Sequence, residues 1–155
     1  MRGGPVAAAV AMLVLAACSG PDAALVEDLE ATGLTLHAPD LRGSDPVAVE
    51  AADGKVRVAY DEDGYGLYTL EIAPAPVGEL CRGIDFERGS SCDGDEDTMV
   101  ASFEEMTVVA VRRDDVVLVA RGLVTEADAT LVDDAVAALR EAPQVSAAEL
   151  AGSVA

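Results

Sequence analysis

Residues 47–73 constrain the fold of this chain more than any other stretch. Apolar and polar residues alternate there in three short segments, and a period of two is typical of strands that bury one face. The pair Asp53-Gly54 separates the first two segments, and such a pair strongly favours a tight hairpin turn. A second turn-rich segment, 61–66, separates the last two. The stretch therefore predicts a three-stranded antiparallel meander.

More strands are predicted on both sides of this meander. Segments 98–103 and 106–112 favour strands, and 116–121 is apolar on both faces, which is typical of a central strand covered on both sides. A brief strand is also indicated at 34–36. Segment 77–97 is rich in glycine, serine and aspartate, and it predicts a long loop.

Two segments have helical patterns. Residues 126–141 carry an apolar stripe at helical spacing; Thr125 begins a capping-box pattern and Pro143 ends the helix. A shorter helix is indicated over 21–32, with Gly33 at its end, and a partly ordered stalk is the alternative. We therefore expect an α+β domain whose antiparallel sheet of five or six strands is packed by the C-terminal amphipathic helix, with the short N-terminal helix as a second packing element.

The amino-terminal region is apolar and ends in a specific tetrapeptide. The run 6–17 is long enough for the apolar part of a signal peptide and shorter than the roughly 20 residues of a membrane-spanning helix. It ends in Leu15-Ala16-Ala17-Cys18, which resembles the lipobox of bacterial lipoproteins at all four positions. The resemblance covers the first eighteen residues.

The resemblance implies where the protein is cleaved and how it is held. It implies that 1–17 is a signal peptide and that lipid is attached to the thiol of Cys18. For the remainder, length and residue pattern predict a short leader at 18–21, a single globular domain over 22–143 and a loose tail over 144–155. We expect an extracytoplasmic protein that acyl chains anchor to the cell membrane. Its arginine, alanine and valine bias predicts a high-GC Gram-positive bacterium and the outer face of its plasma membrane.

With Cys18 assigned to lipid, Cys81 and Cys92 remain of the three cysteines. Disulfides persist outside the cytoplasm, so we expect these two residues to be bonded. Closing so short a loop stabilises a fold by about 3 kcal/mol in the chain-entropy model. A redox or catalytic thiol is the alternative, but the spacing is not Cys-x-x-Cys.

The charge of the chain excludes one class of partner. With 29 acidic and 10 basic residues, the net charge is −19, which gives no electrostatic footprint for nucleic acid. The same charge repels anionic lipid, so we expect membrane attachment through the acyl chains on Cys18 and not through the protein surface.

The acidic loop 93–97 is the candidate metal site. Asp93, Asp95 and Asp97 fall at positions 1, 3 and 5 of a calcium-loop pattern, and Glu104 falls at position 12. Position 6 is Thr98 where an EF-hand has glycine, so the pattern departs from that family. A looser cation site remains open beside the interpretation as a solvated acidic loop.

No catalytic motif is found in the sequence. It contains a single histidine, His37, and has neither a Gly-x-Ser-x-Gly motif nor a glycine-rich phosphate loop. We therefore expect a non-catalytic binding or interaction domain without a cofactor, and an envelope protein or other envelope component as its partner. A calcium-binding module and an enzyme of unfamiliar type are the alternatives.

Overall fold

The structure, a computed structural model, describes residues 20–41, 44–62, 66–104, 106–124 and 130–154. The lipobox-like segment, with Cys18, and the predicted helix start at Thr125 lie outside the described residues.

Within those residues, seven strands form one antiparallel sheet with the order β1-β2-β3-β7-β6-β5-β4, and four helices accompany it. The strands are β1 (Asp45–Ala52), β2 (Lys55–Glu62), β3 (Gly66–Pro74), β4 (Ser91–Gly94), β5 (Thr98–Phe103), β6 (Met106–Arg113) and β7 (Val116–Val124). The helices are α1 (Ala23–Ala31), α2 (Leu80–Gly83), α3 (Leu131–Glu141) and α4 (Ala147–Gly152).

The predicted meander is confirmed as β1, β2 and β3. Asp53 and Gly54 have φ of 55° and 71°, the left-handed pair that a two-residue hairpin turn requires. Strands β5, β6 and β7 form a second meander, and β7 joins the two by pairing with β3. The chain must therefore cross from β3, inside the sheet, to β4 at its far edge.

One face of the sheet carries the larger core, and we call it the helix face. Alternate residues of β2, β3, β6 and β7 meet apolar residues of α1, α3 and α4 there. Tyr60 and Tyr68, paired across β2 and β3, stack in this core with ring centroids 5.2 Å apart. The apolar stripe that the sequence predicts for α3 is buried in this core, and it includes Leu131, Ala135 and Leu139.

The opposite face, the cap face, is covered over the β5–β6–β7 half by the crossing segment. This segment, 75–90, contains α2, and Leu80 of α2 is buried in one apolar cluster with Met99 and Val119 of the sheet. The predicted disulfide is present: Cys81 of α2 and Cys92 of β4 are bonded. The bond ties the crossing segment to the sheet edge beneath it.

Three local predictions are wrong. The sheet has seven strands and not five or six, because the predicted loop 77–97 contains β4 as well as α2. Residues 34–36 form no strand; the neighbouring His37 makes an isolated bridge with Gln144 instead. The predicted tail 144–155 is not loose, because it contains α4, whose side chains Ala147, Leu150 and Ala151 are buried.

Candidate functional site

The cap face of the sheet is divided into a covered half and an open half. The covered half lies beneath the crossing segment and is apolar. On the open half, β2 and β3 present Lys55, Arg57 and Glu71 instead of apolar residues. A covered face needs apolar side chains and an open one tolerates charge, so the sequence of each strand matches its half.

Glu71 is the centre of the charged half. Its carboxylate lies 3.0 Å from Lys55 Nζ and 3.4 Å from Arg57 Nε, and Arg57 also lies 3.5 Å from Glu50. Burial alone would raise the pKa of Glu71, but Lys55, Arg121 and Arg57 outweigh it and lower the pKa below its ordinary value. Lys55 and Arg57 are therefore neutralised within the fold.

A groove of about 510 Å³ opens where the two halves of the cap face meet. Such a volume is within the range of ligand-binding clefts. Strand residues form its floor and the end of the crossing segment forms one wall. Its lining residues are Glu87, Ser90, Ala101, Phe103, Glu104, Met106, Val108, Arg121 and Gly122.

A β-bulge lies at this groove. Strand β7 has one residue more than β6 between the pairs Ala120–Val109 and Leu123–Thr107. The extra length falls at Arg121-Gly122, and Gly122 has a φ of 84° that disfavours a residue with a Cβ. Bulges redirect side chains and often lie beside binding sites. This bulge lets Ala120 and Leu123 both contact the helix-face core while Arg121 lines the groove.

The covering segment is held by a neighbouring arginine. Arg112 of β6 donates through Nε to the carbonyl of Glu96 at 2.7 Å, and through Nη1 and Nη2 to those of Pro76 and Gly78 at 2.7 and 2.8 Å. Together with the disulfide, these bonds fix the crossing segment that walls the groove.

Arg113, the next residue of β6, holds the covering layer of the helix face in the same way. Arg113 Nη1 donates toward the carbonyls of Leu139 and Ala142, at 3.1 and 3.2 Å, and toward that of Arg140. These carbonyls belong to the end of α3, where helical acceptors lack partners and a cation is favourable. Successive residues of one strand point to opposite faces, so Arg112 and Arg113 each hold one covering layer.

The acidic loop forms the turn between β4 and β5. Asp95 Oδ1 accepts hydrogen bonds from the backbone N–H groups of Asp97 and Thr98, at 2.8 and 2.9 Å. These bonds lower the pKa of the exposed Asp95 carboxyl. Asp95 thus stabilises the turn between β4 and β5.

The four candidate metal ligands are not brought together. Asp97 precedes β5 and Glu104 follows it, so this strand, about 20 Å long, lies between them; Asp93 pairs with Val100 inside β5. Among the described residues, no group of three or more acidic, histidine or cysteine side chains is arranged to hold a metal ion.

His37 lies in the helix-face core, away from the groove. Its side chain is buried, and Nδ1 lies 3.1 Å from the Ala142 carbonyl that Arg113 also contacts. In the described part of the chain, its Nε2 has no hydrogen-bond partner. This position favours a packing role at the end of α3 over chemistry with a ligand.

A second cavity lies between α3 and the sheet, but it is small. Its volume is about 100 Å³, and Leu41, Tyr68 and Leu131 are among its lining residues. This is well below the range of about 300–1,000 Å³ for ligand pockets. No helix in the described ranges has both the length and the apolar character needed to cross a membrane.

Sequence reasoning missed the groove. The one local signal is Arg121-Gly122, which interrupts the apolar run of β7. The wall of the groove, 87–90, precedes Arg121 by more than thirty residues in the chain, and strand periodicity does not reveal that contact. No protein-family model, no curated protein and no solved structure matches this chain.

Proposed function

We propose that this protein is a lipid-anchored extracytoplasmic binding domain, and that the groove on the cap face is its binding surface. The groove carries the proposal because it combines ligand-sized volume, an apolar floor and a partly buried arginine at a bulge. Its scaffold is held by a disulfide and by the Arg112 hydrogen bonds, and rigid scaffolding limits the ordering cost of binding.

Exposed apolar surface supports the choice of this groove. Large apolar residues that are exposed in the described structure are few: Val47, Val77 and Met106. Met106 lines the groove and is 52% exposed. Phe103 and Val108 line the same groove and are partly exposed, so Met106 belongs to an apolar patch, and such patches mark interaction sites.

The proposed anchor rests on Leu15-Ala16-Ala17-Cys18. One acyl chain gives marginal membrane binding, whereas two give stable anchoring, so a diacylated Cys18 suffices without help from the acidic surface. Cell fractionation tests this: the wild type should sediment with membranes, and Cys18→Ala should lose the lipid mass and leave that fraction. A Cys18→Ala variant that stays membrane-bound without added lipid would contradict the anchor.

Photo-cross-linking of the full chain in its native envelope tests the binding surface. A photoreactive residue at Met106 should give a discrete adduct with a partner. Val47 is the matched control, because it is 50% exposed and lies on β1 at the opposite edge of the sheet. Equal labelling from both positions, or none from Met106, would overturn the groove as the binding surface.

A further inference from the structure

We infer that the groove binds an apolar peptide segment of a partner protein through a carboxylate that accepts hydrogen bonds from the Arg121 guanidinium. This inference rests on the proposed binding function and adds the chemistry of the partner.

No described residue uses the donors of the Arg121 side chain. It is partly buried, yet none of the described residues forms a hydrogen bond or an ion pair within 4 Å with its side chain. Glu71, the acidic group close enough to be influenced by its charge, is already paired with Lys55 and Arg57. A guanidinium offers five donors in a planar fork that matches a carboxylate.

Other basic side chains of the described structure differ from Arg121 in this respect. Arg88 also lacks a partner there, but it is exposed, so water can satisfy it. The remaining ones each have an acceptor within the fold: Lys55, Arg57, Arg82, Arg112, Arg113 and Arg140. Among the described residues, Arg121 is thus a partly buried cation without an acceptor, and its donors are available to a ligand in the groove.

The rest of the groove suits apolar side chains. Phe103, Val108 and Ala101 line it, and the exposed Met106 adds a flexible thioether that adapts to varied shapes. An apolar surface beside a guanidinium can bind a peptide in one orientation. The apolar residues contribute affinity, and the ion pair determines the orientation.

Two acidic residues narrow the choice of ligand. Glu87 and Glu104 line the same groove, so a small, highly charged anion such as inorganic phosphate would be repelled by them. A peptide places its single carboxylate at Arg121 and its flanking residues elsewhere. Basic flanks would pair with these carboxylates and would be attracted by the net charge of −19.

A random heptapeptide library, screened against the full chain in neutral detergent micelles, tests this inference. Enriched peptides should carry an aspartate or glutamate among apolar residues, with lysine or arginine toward the ends. Arg121→Gln should weaken the best peptide at least about tenfold, as should replacing its acidic residue by the amide. The control Arg57→Gln, which also removes a cation from the cap face, should leave affinity within about twofold.

A second variant keeps the inference testable if Arg121→Gln does not fold. Met106→Gln changes an exposed side chain, so the fold should persist, and it should weaken the same peptide about threefold or more. An empty screen, or enriched peptides indifferent to both Arg121→Gln and Met106→Gln, would overturn the inference. So would saturable binding of decanoate without peptide binding, or a concentration-dependent dimer that occupies the groove with a second copy.

Failure of this inference can be distinguished from failure of the proposed function. If Met106 still cross-links to a partner while no acidic peptide binds, the groove is a binding surface with a different ligand chemistry. If Met106 gives no adduct, the proposed function itself fails.

Discussion

At the scale of single residues, arginines on adjacent strands have different tasks. Arg112 and Arg113 satisfy backbone carbonyls of the two covering layers, whereas Arg121 on β7 faces a groove. The sequence shows three arginines in similar apolar strands and does not separate these roles. The distinction depends on which carbonyls the fold brings within reach, and local pattern does not contain that information.

Glu71 predicts a pH dependence of stability. Its pKa in the folded protein is below its ordinary value of 4.5, so its contribution is fully present above about that pH and is lost as the pH falls through the lower, folded value. We expect Glu71→Gln to lower the free energy of unfolding more at pH 7 than at pH 3, measured by urea unfolding. Glu50→Gln is the control, because that carboxylate is exposed and pairs only with Arg57 among the described residues. Parallel pH profiles for wild type and Glu71→Gln would contradict the role of Glu71.

Removing the Arg113 guanidinium is expected to lower the stability of the fold without changing the groove. Arg113→Met keeps the apolar stem but removes the guanidinium donor from the carbonyls of Leu139 and Ala142, of which Ala142 keeps His37. We expect the free energy of unfolding to fall by about 1–3 kcal/mol. Arg140→Met, which removes one exposed hydrogen bond to Thr98, should cost less than about 1 kcal/mol. Urea unfolding measures both, and equal losses would contradict the assignment.

At the scale of elements, the sequence predicts what local periodicity encodes. The meander of β1 to β3, strands β5 to β7, and helices α1 and α3 are confirmed, apart from the start of the α3 region beyond the described residues. Strand β4 has no alternation of its own and exists because it pairs with β5 and is tied by Cys92. Helix α4 is short, but its capping box, Ser146 with Glu149, is a local sequence signal for a helix start at this position.

The crossing segment predicts a specific response to loss of the disulfide. Cys81 and Cys92 are separated by 11 positions, and opening such a loop should lower the free energy of unfolding by about 3 kcal/mol. The Cys81→Ala, Cys92→Ala double variant should also raise hydrogen exchange in 75–90 while β1 and β2 stay protected, because the segment then keeps the Arg112 hydrogen bonds and the packing of Leu80 but not its covalent tie to β4. Uniform loss of protection across all strands would contradict a local role for the bond.

At the scale of the whole molecule, the order of the strands determines where the groove lies. Placing β7 between β3 and β6 sends the β3–β4 connection across the cap face, so half of that face is covered and half stays charged. The sequence indicates both hairpin groups but not their order, since strand pairing between distant segments leaves no local pattern. The lipid anchor remains a prediction from the first eighteen residues.

The most direct measurement is the yield of the Met106 photo-adduct in native membranes, compared between the otherwise wild-type chain, Arg121→Gln and Arg57→Gln. All three proteins should be present in the membrane fraction at equal levels. If the groove is the binding surface and Arg121 holds the partner, the adduct should fall at least about fivefold in Arg121→Gln and stay unchanged in Arg57→Gln. Equal yields from all three proteins, or a fall confined to Arg57→Gln, would contradict a binding groove built around Arg121.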